Sequence, residues 1–103
     1  MLTREIAIET VRNFIKSCAE QQVFFTNVVL FGSTATNTAT EFSDIDVLLA
    51  SDQFGYSKWT NLGLISKICL KYRLIEPHTF PTDYYLKGDP FIDEVKKTGI
   101  ALI

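Results

Sequence analysis

The chain of 103 residues carries 10 Lys and Arg against 12 Asp and Glu, for a formal net charge of −2, with 47% hydrophobic and 21% charged residues. This length predicts a single domain over 1–103 with one core that buries roughly two thirds of the unfolded surface, and the apolar share excludes intrinsic disorder. No basic run is longer than Lys96-Lys97 and no stretch approaches the roughly 18 apolar residues of a membrane span, so neither a non-specific nucleic-acid binder nor a spanning helix is expected.

Ile8, Val11, Ile15 and Cys18, with Ile6, Ala7 and Phe14 beside them, predict a helix from its Thr3 cap to about Glu20. Val28-Val29-Leu30-Phe31 is a short apolar run with β-branched residues, which reads as a strand buried on both faces. After Gly32-Ser33 the small polar residues predict a short helix and a loop through Thr40 to Ser43, and Asp44 to Ala50 is the second strand. Ser51 to Gly55 is turn material. Trp59, Leu62, Ile65, Ile68 and Cys69 then mark a second long helix ending near Tyr72, with Trp59 assigned to the core. Arg73 to Thr79 predicts a third strand, which Pro77 places at a sheet edge. Asp89-Pro90 starts a helix bearing Phe91, Ile92 and Val95 up to Gly99, and Ile100 to Ile103 is a last short strand. Phe24-Phe25 and Tyr84-Tyr85 fall in irregular segments, with one member of each pair directed outward. The order αβαβαβαβ predicts an α/β domain with helices packed over a small sheet. Cys18 and Cys69 lie inside apolar helical patterns, as reduced core thiols do, and the N-terminus has no apolar leader; both point to the cytoplasm.

The stretch GSTATNTATEFSDID sets a Gly-Ser pair ten residues ahead of two aspartates separated by Ile45. Residues i and i+2 of a strand share a face, so Asp44 and Asp46 project together, about 6 to 7 Å apart at Cα. Two carboxylates so placed repel one another, and a divalent cation between them turns that repulsion into binding energy. Their hard oxygens suit Mg²⁺, which accepts phosphate oxygens as further ligands. Gly32, directly after a strand, allows close backbone approach to a ligand, N–H groups at a following helix start bind phosphate, and the Ser33 hydroxyl adds a donor. Either half alone is common, as a plain turn or as a solvated strand start; the spacing of the two together is what informs.

On VVLFGS (Val28 to Ser33), the spacer of ten and SDIDVLL (Ser43 to Leu49), the chain resembles the nucleotidyltransferase superfamily that shares the fold of DNA polymerase β, and in particular the minimal nucleotidyltransferases, which consist of a catalytic core alone. The resemblance implies a mixed sheet with flanking helices. It also implies transfer of a nucleoside monophosphate, AMP from ATP in the first instance, to an acceptor hydroxyl with release of pyrophosphate. Asp44 and Asp46 would bind two Mg²⁺ ions, and Gly32 and Ser33 would hold the triphosphate of ATP or another nucleoside triphosphate. The family places a third carboxylate on a neighbouring strand. Glu76 is the candidate, because RLIEPHTF is the only later β-like segment with an acid in its middle. His78, two residues on, could share that face and assist an acceptor hydroxyl.

Without room for an acceptor domain, the chain is expected to act with a separate helical HEPN-type partner, as the antitoxin of a pair or as half of a two-chain enzyme; a homodimer is left open. Many relatives carry basic residues and a glycine where this chain has Thr34, Thr36 and Asn37. Asn37 tolerates a left-handed backbone, and the loss of the cations is expected either to lower nucleotide affinity or to move their role to Lys58, Lys67, Lys71 or a partner. Two alternatives stand beside this reading: a non-catalytic nucleotide-binding module of the same fold, and a stand-alone transferase acting on a small hydroxylated molecule.

Overall fold

The structure, a computed structural model, describes residues 2–40 and 43–103. Helix α1 (Arg4–Glu20) starts where the Thr3 hydroxyl accepts the Ile6 N–H at 3.2 Å, and it buries Ala7, Val11, Phe14 and Cys18. That 3–4 spacing makes one apolar stripe. Strand β1 (Asn27–Phe31) leads into a single 3₁₀ turn at Gly32–Thr34, followed by β2 (Ile45–Ser51), α2 (Lys58–Cys69), β3 (Ile75–Pro81), α3 (Thr82–Lys87), α4 (Pro90–Thr98) and the two-residue β4 (Ile100–Ala101).

The four strands form one mixed sheet in the order β3-β2-β1-β4, with β1 antiparallel to β2 and β4, and β2 parallel to β3. The central pair is apolar on both sides. Val28, Leu30, Val47 and Leu49 join the α1 and α2 residues Val11, Phe14, Ile65 and Ile68 in one core, while Val29, Leu48 and Ala50 meet Phe80, Tyr85, Ile92 and Val95 in a second. Each face of β1 and β2 therefore buries apolar area, which is why both strands read as continuous runs instead of alternating ones. Burial, with Cys69 nearby, pushes the Cys18 thiol up to about 12, so it is a protonated core side chain.

Several expectations move. The second strand starts at Ile45, leaving Asp44 just outside it, and β3 begins at Ile75 and runs on to Pro81. Pro77 does lie in the edge strand, where its missing N–H costs no ladder bond to a further strand. Tyr84-Tyr85 are helical, in a six-residue α3 that has no side-chain cap to announce it. Trp59 is not core: it is 87% exposed, because the buried stripe of α2 is Asn61, Ile65 and Ile68, and Trp59 lies about 200° around the helix from Asn61. Phe24 and Tyr84 are the outward members of their pairs, at 55% exposed and half-buried, against Phe25 and Tyr85 turned inward. The loop expected through Thr40 to Ser43 falls partly outside the described residues. Among the described residues, no helix is long and apolar enough to cross a membrane.

Candidate active site

The parallel register sets Asp46 of β2 opposite Glu76 of β3, and Leu48 opposite His78, so the acid pair and the imidazole rise from adjacent strands on one face. Ligand atoms of Asp46, Glu76 and His78 all lie within 4.8 Å of one another. A hydrogen bond to the Asp46 carboxyl raises Glu76 above the usual glutamate range, burial and the Asp46 charge add to the shift, and His78 opposes it. Two carboxyls this close disfavour each other's ionised form. The Nε2 atom of His78 lies 3.6 Å from Asp46 Oδ1 and, although buried, has no hydrogen-bond partner. Asp44 is exposed just ahead of β2; its charge also raises Glu76, but its side chain is not in the tight group.

On the other side of Asp46, Phe31 of β1 is its register partner, so Gly32 arrives beside the carboxylate. Gly32 has φ of +75°, and a Cβ there would stand 2.5 Å from Asp46 Oδ2. Only glycine fits both the left-handed backbone and the contact. The turn closes through Ala35 N–H and Thr36 N–H, which donate to Gly32 O at 3.1 and 3.2 Å, and through Thr38 N–H, which donates to Ser33 O at 2.8 Å. Asn37 takes φ of +61°, the left-handed conformation its side chain tolerates. The Thr34 hydroxyl is wholly buried with no hydrogen-bond partner.

Next to His78 opens a cleft of about 430 Å³, walled by Tyr56, Lys58, Phe80, Tyr84 and Phe91. Its rings pack closely: Phe80 stacks on Tyr84 with centroids 5.5 Å apart, and His78 touches Phe31 and Phe91 at 5.0 and 5.8 Å. The Lys58 ammonium hangs 5.3 Å above the Phe80 ring. One rim is pinned by the buried Asn61, whose amide donates to Gly55 O at 2.8 Å and to Thr79 Oγ1 at 3.2 Å and accepts from Gly55 N–H at 2.9 Å. Of the three lysines offered as replacement cations, Lys58 alone borders this cleft; Lys67 and Lys71 line a separate hollow with Ser17 and Glu20. Sequence reading missed Arg4, whose Nε donates to Ala35 O at 3.0 Å across 31 residues. No local signal could have paired them.

The donor set suits a divalent cation. A hard ion between Asp46 and Glu76 would relieve the repulsion of the two carboxylates, and their oxygens are the ligands Mg²⁺ takes.

The molecule is of the α/β class, a mixed sheet carrying a carboxylate pair on neighbouring strands, hard against a glycine turn. The nucleotidyltransferase domain family matches residues 11–100, and the chain belongs to that family. Its chemistry is nucleotidyl transfer. A crystal structure of a Sulfolobus solfataricus protein provisionally assigned as a nucleotidyltransferase is similar in fold, with a TM-score of 0.66 at 15% identity, covering 95% of this chain and 80% of that one. Among curated proteins no sequence matches significantly.

Proposed function

We propose that this domain transfers a nucleoside monophosphate, AMP from ATP in the first instance, to an acceptor hydroxyl. The observation that carries the reading is the Asp46–Glu76 pair with Gly32 pressed against it. Asp44, Asp46 and Glu76 would hold Mg²⁺, which when bound offsets charge on the attacking and leaving oxygens of an in-line displacement. Gly32 and Ser33 would receive the triphosphate. The acceptor oxygen bonds to the α-phosphorus as the bond from that phosphorus to the bridging oxygen breaks, and pyrophosphate leaves. His78, beside Asp46, would assist the acceptor hydroxyl.

In-line geometry puts the entering and leaving groups on opposite sides of the α-phosphorus. With the glycine turn at the end of β1 and the strands ordered β3-β2-β1, pyrophosphate departs on the β1 side and the acceptor enters from β3, beside the aromatic cleft. In this reading a helical HEPN-type protein presents the acceptor in the cytoplasm, docking on the outward Phe24 and Tyr84. Co-expression with such a protein should give one species on size exclusion, and two separate peaks would remove the partner. A non-catalytic nucleotide-binding module is the second reading, favoured by the uncharged Thr34 and Thr36. Incubation with labelled ATP, Mg²⁺ and the partner separates the two, because only a transferase moves label to an acceptor.

A further inference from the structure

The turn from Gly32 to Thr40 contains no charged side chain, and the group it presses against is the carboxylate of Asp46, which itself lies beside Glu76. A triphosphate resting there would be held more tightly by a cation of the protein's own beside the turn. Lys58 borders the aromatic cleft, and Lys67 and Lys71 line the hollow beside Ser17 and Glu20. Arg4 is different. Its Nε is tied to Ala35 O at 3.0 Å, in the middle of the turn, and the side chain is partly buried in the first turn of α1. This single bond uses the inner nitrogen of the guanidinium and leaves both terminal nitrogens without a partner among the described residues. An arginine held by Nε presents its outer fork in a fixed plane, the geometry that takes two oxygens of a phosphate at once. Within the same turn, the Thr34 hydroxyl is fully buried and lacks any hydrogen-bond partner, a second polar group left unpaired there.

We infer that Arg4 supplies the positive charge of the Gly32–Thr36 turn and binds the outer phosphates of the nucleoside triphosphate. The inference rests on the proposed nucleotide site, but it concerns binding and not turnover. It adds a residue of α1, outside the glycine turn and the acidic strands, to the base-independent part of nucleotide recognition.

Calorimetric titration of the intact chain with ATP and with AMP, both in Mg²⁺, tests it. Loss of a charge-assisted contact predicts ATP binding about ten- to a hundredfold weaker in Arg4→Gln, with partial recovery in Arg4→Lys. Gln keeps an amide donor for Ala35 O, and thermal melts of all variants report whether the turn is held. AMP has no outer phosphates and should bind parent and Arg4→Gln within about twofold. The ATP affinity of the parent should also fall more steeply with salt than that of Arg4→Gln. Equal ATP affinity in parent and Arg4→Gln would overturn the inference while leaving the nucleotide site intact. Equal weakening of ATP and AMP would overturn it too, leaving Arg4 as a tie between α1 and the turn. A parent that binds neither nucleotide would overturn both this inference and the proposed function.

Discussion

Gly32 and Asp46 illustrate how little freedom the site leaves to single residues. A side chain at position 32 meets a left-handed φ of +75° and the Asp46 carboxylate at 2.5 Å. The backbone penalty alone is about 1–2 kcal/mol. Gly32→Ala should therefore lower the melting midpoint by about 5 °C or more, the shift that 1 kcal/mol gives in a domain of this size, and should displace the carboxylate. A variant that melts with the parent would mean that the turn relaxes at no cost. Asp46→Asn is expected to behave in the opposite sense: without metal it removes like-charge crowding around Glu76, so its midpoint should equal or exceed the parent's, while the rise that Mg²⁺-ATP gives the parent disappears. Glu76→Gln should lose the same rise; a glutamate with no part in the site would keep it. The aspartates and the Gly-Ser turn were legible in the sequence because they sit close together in the chain, ten residues apart, and each has a local signature. Glu76 was legible only as the acid of a later strand, and the register opposite Asp46 comes from the parallel pairing of β2 with β3. Arg4 had no signature at all.

At the scale of elements, apolar runs and caps told most. Thr3 and Asp89 cap α1 and α4 as their positions suggested, each accepting a backbone N–H three residues on. Helix α2 shows the limit. Its buried face is completed by Asn61, a polar residue whose amide is satisfied by Gly55 and Thr79, so a search for apolar spacing passes over it and selects Trp59 on the opposite side. The single tryptophan then serves as a reporter: its emission should resemble that of free tryptophan and be quenched freely by acrylamide in the native protein. A blue-shifted, protected emission would contradict the exposed placement. The α4 cap gives a pH prediction. The Ile92 N–H first, and then the Tyr84 hydroxyl, hold Asp89 below the usual aspartate range. A carboxylate whose pKa is lowered by folding contributes stability above its unfolded value, near 3.8, and loses it as pH falls through the lower folded value. Asp89→Ala should accordingly melt below the parent at pH 7, with the gap narrowing as the solution is acidified below pH 4. A gap that stays constant across that range would show that the charge has no part in the cap.

For the molecule as a whole, the sheet order arranges the proposed chemistry across its width, with the phosphate turn at β1, the acid pair on β2 and β3, and the aromatic cleft beyond. Family membership and fold agree with the class read from the Gly-Ser and Asp-x-Asp spacing. The cleft was not legible, because its walls come from four separate segments, around Tyr56, His78, Tyr84 and Phe91, that only the tertiary fold brings together. The central claim is that the Asp46–Glu76 pair beside Gly32 drives nucleotidyl transfer. Its most direct test is a transfer assay with ATP labelled at the α-phosphate, Mg²⁺ and the helical partner, run on the parent and on Asp46→Asn. Label is expected on an acceptor with the parent, abolished by chelation of the metal and absent in Asp46→Asn although that variant remains folded. Transfer by Asp46→Asn at the parent's rate would contradict it.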